Sequence, residues 1–525
     1  MLTDAAQSHQ LVHSGVEGRS RGARPTTSGH SRFTASTRVE TNTLVISGAV
    51  LSFATILAVS RQLGQSGAGE FIQVMAFFSS ALVAACLGTD VALVRYVGAA
   101  LAAGRPADVR ALLRVSLIPV CFSSGLFASA ILLGGPLWEG WFPEQGLSEA
   151  VRVGAPLIPA GAVTACLFGA MRGFGLVPTF TALQSLAFPI LRFTAVVMVG
   201  LYGAGLVQLT AAWAWPVVLL LLTAGFLVRR ELKLMLRFAA GKGLATDGHA
   251  TPGLSGRFWG YSWSRWAAQI VAALLEWVDV ICVGAFMGPA AAGVYGVVNR
   301  CVRVGSVLAD TARTAPGSML AALAGGKSSV AGEIQAATAR LVVTCCWPFF
   351  LVLTVFSPLV LGLFGEHFVV AAGPMSVISV VMLLAMPVGG AQSVILMVVG
   401  SRRALVRQLV AVAVAVLCAL LLIPLWGLWG AVMAWGASAL TGVVIDAVQV
   451  RARWRLLPPL RSLLAPGTVA VVCFGLLGAF LRYRLGISWL SFGATVGPGG
   501  LVYAAIIWWR PAWFGWRRGT IQSRQ

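Results

Sequence analysis

The sequence predicts an all-α polytopic membrane protein of about fourteen transmembrane helices, built from two six-helix repeats plus two extra C-terminal helices. Three observations carry that expectation. Of 525 residues, 58% are hydrophobic and 10% charged, with a mean hydropathy of +0.86, more apolar surface than a soluble globule of ordinary composition keeps out of water. Runs such as Thr43 to Ser60, Leu341 to Leu363 and Val377 to Val399 approach or reach the ~20 residues that cross ~30 Å of hydrocarbon. Finally, the loop Leu63-Gly64-Gln65-Ser66-Gly67-Ala68-Gly69-Glu70-Phe71 returns as Met287-Gly288-Pro289-Ala290-Ala291-Ala292-Gly293-Val294-Tyr295, with Gly64, Gly69 and the aromatic Phe71 matched 224 positions later. Long apolar runs separate these loops, so the repeating unit is a bundle of membrane helices. Short alternating strands, which a transmembrane barrel requires, do not occur in the sequence.

The elements follow in order. Spans α1 (43–63) and α2 (71–89) flank the first repeated loop. Basic residues Arg95, Arg105, Arg110 and Arg114 mark the next connection, and α3 (107–134) runs from it to a second loop, Pro136-Leu137-x-x-Gly140-x-Phe142-x-Glu144, which recurs as Pro358-Leu359-x-x-Gly362-x-Phe364-x-Glu366. Spans α4 (149–171) and α5 (177–200) lead to Leu201-Tyr202-Gly203, echoed by Leu425-Trp426-Gly427, and α6 (204–228) closes the first copy at Arg229-Arg230. The second copy comprises α7 (259–286), α8 (290–315), α9 (334–363), α10 (369–399), α11 (403–424) and α12 (428–450), followed by α13 (462–482) and α14 (487–509). The expected organisation is a disordered basic tail (1–42), a first lobe (43–230), a polar linker (231–256), a second lobe (257–455), the two extra helices (456–510) and a basic tail (511–525). Six helices per copy is an even number, so both copies enter the membrane with the same orientation, related by an axis along its normal.

The net charge of +21 would suggest nucleic acid in a soluble protein, but its placement excludes that partner. Lys and Arg gather in the N-terminal tail and in alternate connections: Arg95 to Arg114, Arg229 to Lys242, Lys327, Arg402 to Arg407, Arg451 to Arg461 and Arg510 to Arg518. The intervening loops carry almost none, so the positive-inside rule places both termini in the cytoplasm of a cell-membrane protein. These basic segments suit anionic lipid headgroups. No apolar core of a cleaved signal peptide precedes residue 43. Eight of the nine cysteines fall within or beside spans with no metal-ligand spacing, so neither a metal nor a disulfide framework is expected. Gly325-Gly326-Lys327-Ser328 lacks the first glycine of a phosphate-binding loop, Ala321 standing there, and no strand precedes it. No cofactor is implied, and no loop is long enough to hold a soluble catalytic domain. Outer tryptophans Trp138 and Trp141, and Trp508, Trp509, Trp513 and Trp516 near the C-terminus, read as an interfacial belt.

Charges inside spans cost several kcal/mol unless they face protein or water. On α7, Arg265, Gln269, Glu276 and Asp279 share one helical face; on α8, Tyr295, Asn299, Arg303 and Asp310 do, with Arg300 beside them. Two polar stripes on adjacent helices imply a water-filled cavity between the bundles. The alternative is that individual acids merely pair with Arg265, Arg300 or Arg303 and hold helices together. On α5, Arg192 and Gln184 share a face; Ser47, Ser52, Thr55 and Gln73 are milder polar groups on α1 and α2. Asp90 is expected to pair with Arg95, and Asp446 with Arg451 or Arg453. Arg192, Arg265, Arg300 and Arg303 are the candidate phosphate binders, because guanidinium forks onto phosphate oxygens strongly at low dielectric. Asn299 and Gln269 join them as substrate contacts, and Glu276, Asp279 and Asp310 are candidate coupling acids. An anionic substrate follows.

The segments Leu63-Gly64 through Phe71, Leu87-Gly88-Thr89-Asp90-Val91-Ala92-Leu93-Val94-Arg95-Tyr96, Asp279 through Tyr295, Leu363-Phe364-Gly365-Glu366-His367-Phe368 and Pro424-Leu425-Trp426-Gly427-Leu428-Trp429-Gly430-Ala431 together resemble the Wzx-type polysaccharide flippases of the multidrug/oligosaccharidyl-lipid/polysaccharide (MOP) exporter superfamily. The likeness covers roughly residues 42 to 455 and is one of overall pattern. It implies two six-helix lobes forming a V, and alternating access that carries a polyprenyl-diphosphate-linked oligosaccharide to the outer leaflet. The glycan polymerase and glycosyltransferases of the same pathway are the implied partners. Three other readings stay open: a lipid II flippase, a cation-coupled multidrug antiporter of the same fold, and a membrane polysaccharide polymerase. The antiporter would use an acid in α1, where Thr43 to Ser60 has none, and the polymerase a substantial outer loop, where Gly134 to Glu149 offers only three glutamates.

Overall fold

The computed structural model describes residues 28–134, 145–241, 251–312, 328–387, 401–454 and 460–514. Most of the N-terminal tail, the loop with Trp138 and Trp141, the centre of the linker, Ala321 to Lys327, and Trp516 lie outside these residues. Met1–Thr43 and Leu44–Gln525 are two compact units. In the first, the described residues, from Ser28 on, are helical, where the composition had suggested disorder.

Every regular element described in the second unit is helical. Among the described residues, eleven helices are long and apolar enough to cross a membrane, and a pair bent by 47°, Gly146–Gly154 with Leu157–Gly173, makes up to twelve. Two of the expected spans are absent from that count for physical reasons. α1 and α2 form one element ending at Ala85 that breaks at Gly64 (φ 70°, ψ −161°). The chain reverses there, since Ile56 before the break and Met75 after it line the same cavity. α8, Pro289–Ala312, is helical, but its charges dilute its hydropathy. With these two, each of the fourteen expected spans has a helical counterpart. α6 runs on to Gly241 as a helix, so the first part of the expected linker is structured.

The duplication is visible in the backbone. Gly64 and its repeat mate Gly288 (φ 84°, ψ 175°) adopt closely similar dihedrals, and Gly203 and Gly427 both have positive φ, a region open to glycine at no steric cost. The two copies meet reciprocally at the repeat-loop end. A Cβ on Gly69 would overlap the Pro289 carbonyl oxygen, and a Cβ on Gly293 would overlap that of Gln65. Gln65 and Pro289 are themselves repeat mates, so this is the contact of a local two-fold axis. Arg61 Nε donates to the Leu363 carbonyl at 2.5 Å and Gln65 Nε2 to that of His367 at 2.6 Å, extending the seam.

α7 (Leu254–Met287) straddles the copies. Its first half bonds to first-copy backbone: Ser262 Oγ donates to the Leu87 carbonyl at 2.7 Å and Trp266 Nε1 to that of Ala84 at 2.9 Å. Tyr96 donates its hydroxyl to the Arg257 carbonyl at 2.8 Å. The turn that receives α7 contains Leu87 (φ 51°) and Gly88 (φ 71°), and the Gly88 backbone approaches Ser262 and Trp266 so closely that a Cβ would not fit. The second half of α7 faces α11 (Ser401–Trp426) and α12 (Leu428–Trp454) across a cavity. α13 and α14 pack on α9, with Tyr503 donating to the Thr344 carbonyl at 3.1 Å and Phe356 set edge-on to Phe492.

Candidate functional site

Between the copies lies a chamber of about 420 Å³. α1 and α2 supply Ser52, Thr55 and Ser79; α5 supplies Gln184, Ser185 and Arg192; α6 supplies Trp213; α7 and α8 supply Glu276, Trp277, Arg300 and Arg303. Gln184 and Ser185 sit in a π-helical turn, Leu183–Ala187. Such a turn frees backbone geometry inside a helix and is common at functional positions. Gly48 of α1 lies directly against the Ser185 carbonyl, where any side chain would collide, so the small residue sets the wall of the chamber.

Each cation has its own support. Arg192 is clamped between the Phe188 ring at 3.8 Å and the Trp213 ring at 3.9 Å, while its Nε donates to the Trp213 carbonyl at 3.1 Å. Arg300 lies over the Trp277 ring at 4.8 Å, and its Nη2 is buried with no hydrogen-bond partner among the described residues. Arg303 is 44% exposed and pairs with Glu276, Nη1 to Oε1 at 2.5 Å. Indole faces attract guanidinium groups and hold them flat, so the two half-buried cations are fixed while the exposed one stays able to swing. Three arginines against one glutamate leave the wall two charges positive.

Three of the four expected phosphate binders, Arg192, Arg300 and Arg303, thus share one space with Glu276. Arg265 is not among them. It lies nearer the basic end, its guanidinium 5.6 Å from the Tyr261 ring. Gln269 donates to both oxygens of Asp90 at 3.2 Å, replacing the expected Asp90–Arg95 pair; Arg95 lies over Tyr261 instead. Asn299 is turned away, donating to Asp279 at 3.3 Å, and borders only a narrow cleft behind the chamber. Asp310 is exposed. α7 is 34 residues long, about 51 Å at 1.5 Å per residue, so one polar face spans several environments and cannot line a single cavity. Trp213, Trp277, Ser79 and Ser185 were missed by the sequence reading; mid-span tryptophans on α6 and α7 were the available signal.

Asp279 is buried and accepts from the Tyr295 hydroxyl at 2.9 Å as well as from Asn299. This ties α7 to α8. Tyr295→Phe is expected to lower thermal stability by about 1–3 kcal/mol, the worth of a hydrogen bond to a charged group, while leaving the chamber charge unchanged; melting of the purified protein checks it. Asp279 also borders a second cavity of about 280 Å³ between α7, α10, α11 and α12, where Asp446 pairs with Arg407 at 3.4 Å rather than with Arg451; the side chain of Arg453 lies outside the described residues.

A third cavity, of about 390 Å³, is lined entirely by apolar side chains: Val50 and Phe53 of α1, Cys301 and Val304 of α8, and residues of α9, α13 and α14, among them Phe474 and Phe492. Phe53 and Val304 line both this groove and the charged chamber.

Two matched helical bundles enclosing a polar chamber define a multi-pass membrane protein with the fold of the MOP-superfamily transporters. A MATE-family multidrug resistance transporter in an inward-facing conformation aligns with a TM-score of 0.63 at 14% identity, covering 80% of this chain and 98% of that one. The lipid II flippase MurJ in an inward closed conformation aligns at 0.62 and 12% identity, covering 92% and 99%. An outward-facing MATE-family transporter aligns at 0.53 and 14%, covering 80% and 95%. Among curated protein sequences none matches significantly. The polysaccharide biosynthesis protein family model matches residues 41–315, more than half of the chain, and the protein belongs to that family.

Proposed function

We propose that this protein is a flippase that carries a polyprenyl-diphosphate-linked oligosaccharide across the cytoplasmic membrane by alternating access, with both termini in the cytoplasm. The observation that carries the reading is the shared wall of the cationic chamber and the wholly apolar groove at Phe53 and Val304. A lipid-linked sugar needs a wet, positive site for its head beside an oily path for its tail, and the two cavities meet that need at one boundary. A diphosphate esterified at both ends carries two negative charges, which match the two-positive wall. A cationic drug would meet like charge.

In this mechanism Arg192 of the first copy and Arg300 of the second fork onto the phosphate oxygens, and the π-turn polar groups Gln184 and Ser185 face the sugar. Inside-negative potential favours outward movement of each negative charge by about 2.3 kcal/mol per 100 mV. The family supports the pathway, and the fold shared with the lipid II flippase supports the mode of transport. The test is transport in proteoliposomes with a labelled lipid-linked oligosaccharide and, in parallel, a cationic dye. Protein-dependent translocation of the glycan without dye movement is expected; dye movement without glycan movement rejects the reading.

A further inference from the structure

We infer that Glu276 is the counter-charge that allows the chamber to release its load: an internal anion that holds Arg303 when the site is empty and takes it back from the phosphate when the substrate leaves. This rests on the proposed diphosphate substrate and concerns how the same site lets go.

Three guanidiniums around a diphosphate at low dielectric make a site that binds well and empties badly, because charge-assisted hydrogen bonds are roughly twice as strong as neutral ones. Two of the three are fixed. Arg192 is clamped between Phe188 and Trp213 and tied by its Nε to a backbone carbonyl; Arg300 lies on Trp277. Arg303 differs: its side chain is 44% exposed, and its Nη1 meets Glu276 Oε1 at 2.5 Å, with the glutamate itself 36% exposed. Among the described residues, Glu276 is the one acid that lines the chamber. A long, exposed arginine with a carboxylate at hand has two stable partners within reach, Glu276 in the empty site and a phosphate oxygen in the loaded one.

The charges balance only when the site is loaded. The empty wall carries three positive charges and one negative; a doubly charged diphosphate brings the loaded site to neutrality. Without the carboxylate the loaded site would keep one excess positive charge and hold the anion more tightly. Both partners of the exchange belong to the second copy, Glu276 on α7 and Arg303 on α8. Their pairing therefore needs no contact between the two copies and persists as the copies move relative to one another. Arg192, on the first copy, cannot serve this way. Release then needs no new group to enter the site: the freed carboxylate remains beside Arg303 and competes for it throughout.

The experiment uses the full-length protein in lipid nanodiscs, with farnesyl-diphosphate-linked N-acetylglucosamine as the probe for binding and the same compound in proteoliposomes for turnover. Glu276→Gln is expected to bind the probe about tenfold more tightly or better and to turn over about tenfold more slowly. Glu276→Asp, which keeps the charge, is expected to stay within about threefold of wild type in both. In an Arg303→Ala background Glu276→Gln is expected to change both by clearly less than it does in the wild-type background, because the partner it competes for is gone and only the field of the carboxylate remains. Should the glutamine variant not fold, Glu276→Ser makes the same charge change. Weaker or unchanged binding, unchanged turnover, or an equal shift in the aspartate variant overturns the inference; a merely structural role for the pair would weaken binding. Wild type that fails to bind the probe overturns the proposed substrate instead, and this inference with it.

Discussion

Arg300→Ala is expected to cut glycan translocation by about 30-fold or more while leaving the protein as stable as wild type or slightly more so. The arginine is half-buried over Trp277, and its Nη2 is buried with no protein partner among the described residues. Removing a cation with a buried, unpartnered N–H group relieves a desolvation cost, so stability should not fall. In the loaded site the same N–H groups would face phosphate. Truncating one partner of a buried charged pair costs about 2–5 kcal/mol, roughly 30-fold to several thousand-fold in transport. Arg303→Ala should cost less, since that residue is exposed and already neutralised by Glu276. Arg265→Ala should be close to neutral, because Arg265 stacks on Tyr261 outside the chamber. Translocation by the three variants, with melting temperatures in parallel, checks the ranking. An Arg265 variant as impaired as the Arg300 variant, or full transport by the Arg300 variant, would place the binding site elsewhere.

That ranking separates what the sequence could reveal from what it could not. Hydropathy and the 224-residue offset were enough for the helices and the duplication, because both are one-dimensional signals. Gly64 and Gly288 recur in the sequence for the same reason that they adopt nearly the same dihedrals: each turns the chain at the head of a helical hairpin. The chamber was half legible. Helical spacing identified Glu276, Arg300 and Arg303 as polar groups in apolar runs, but it could not say that Arg265 and Gln269, on the same face of α7, would lie beyond the chamber near the basic end. Nor could spacing pair Asp446 with Arg407, 39 residues earlier on a neighbouring helix, in place of the closer Arg451. Gln269 meets Asp90 for a similar reason: α7 leans on the first copy along its first half, a contact set by the tight turn at Leu87 and Gly88. The aromatic supports of Arg192 and Arg300 carry no periodic signature, because a tryptophan in an apolar span looks the same whether it faces lipid or a guanidinium.

The largest structural effect is expected at the seam between the copies. A methyl group at Gly293 would overlap the Gln65 carbonyl oxygen and sit close to the Gly69 backbone; a methyl at Gly69 would overlap the Pro289 carbonyl oxygen. Carbonyls inside helical turns cannot swing aside as a flexible side chain can, so Gly293→Ala must part the two turns. Overpacking of this kind costs about 1–3 kcal/mol or more, and it also breaks contacts further along. Arg61 and Gln65 hold the carbonyls of Leu363 and His367 at 2.5 and 2.6 Å only while the seam is shut. The expected result is a chain that still inserts but stays open at the repeat-loop end, with translocation lost because this end no longer closes. Ala68 is buried at the seam, 1% exposed, so a cysteine placed there reports the state directly. Labelling of Ala68→Cys by an impermeant maleimide should be slow in the otherwise native chain and fast when Gly293→Ala is added. The two-fold relation makes a further demand: Gly69→Ala should act like Gly293→Ala, and the double variant should be little worse than either, because one parted contact already separates both. Slow labelling with normal translocation in either single variant would mean that the close approach of these glycines plays no part in closing this end of the bundle.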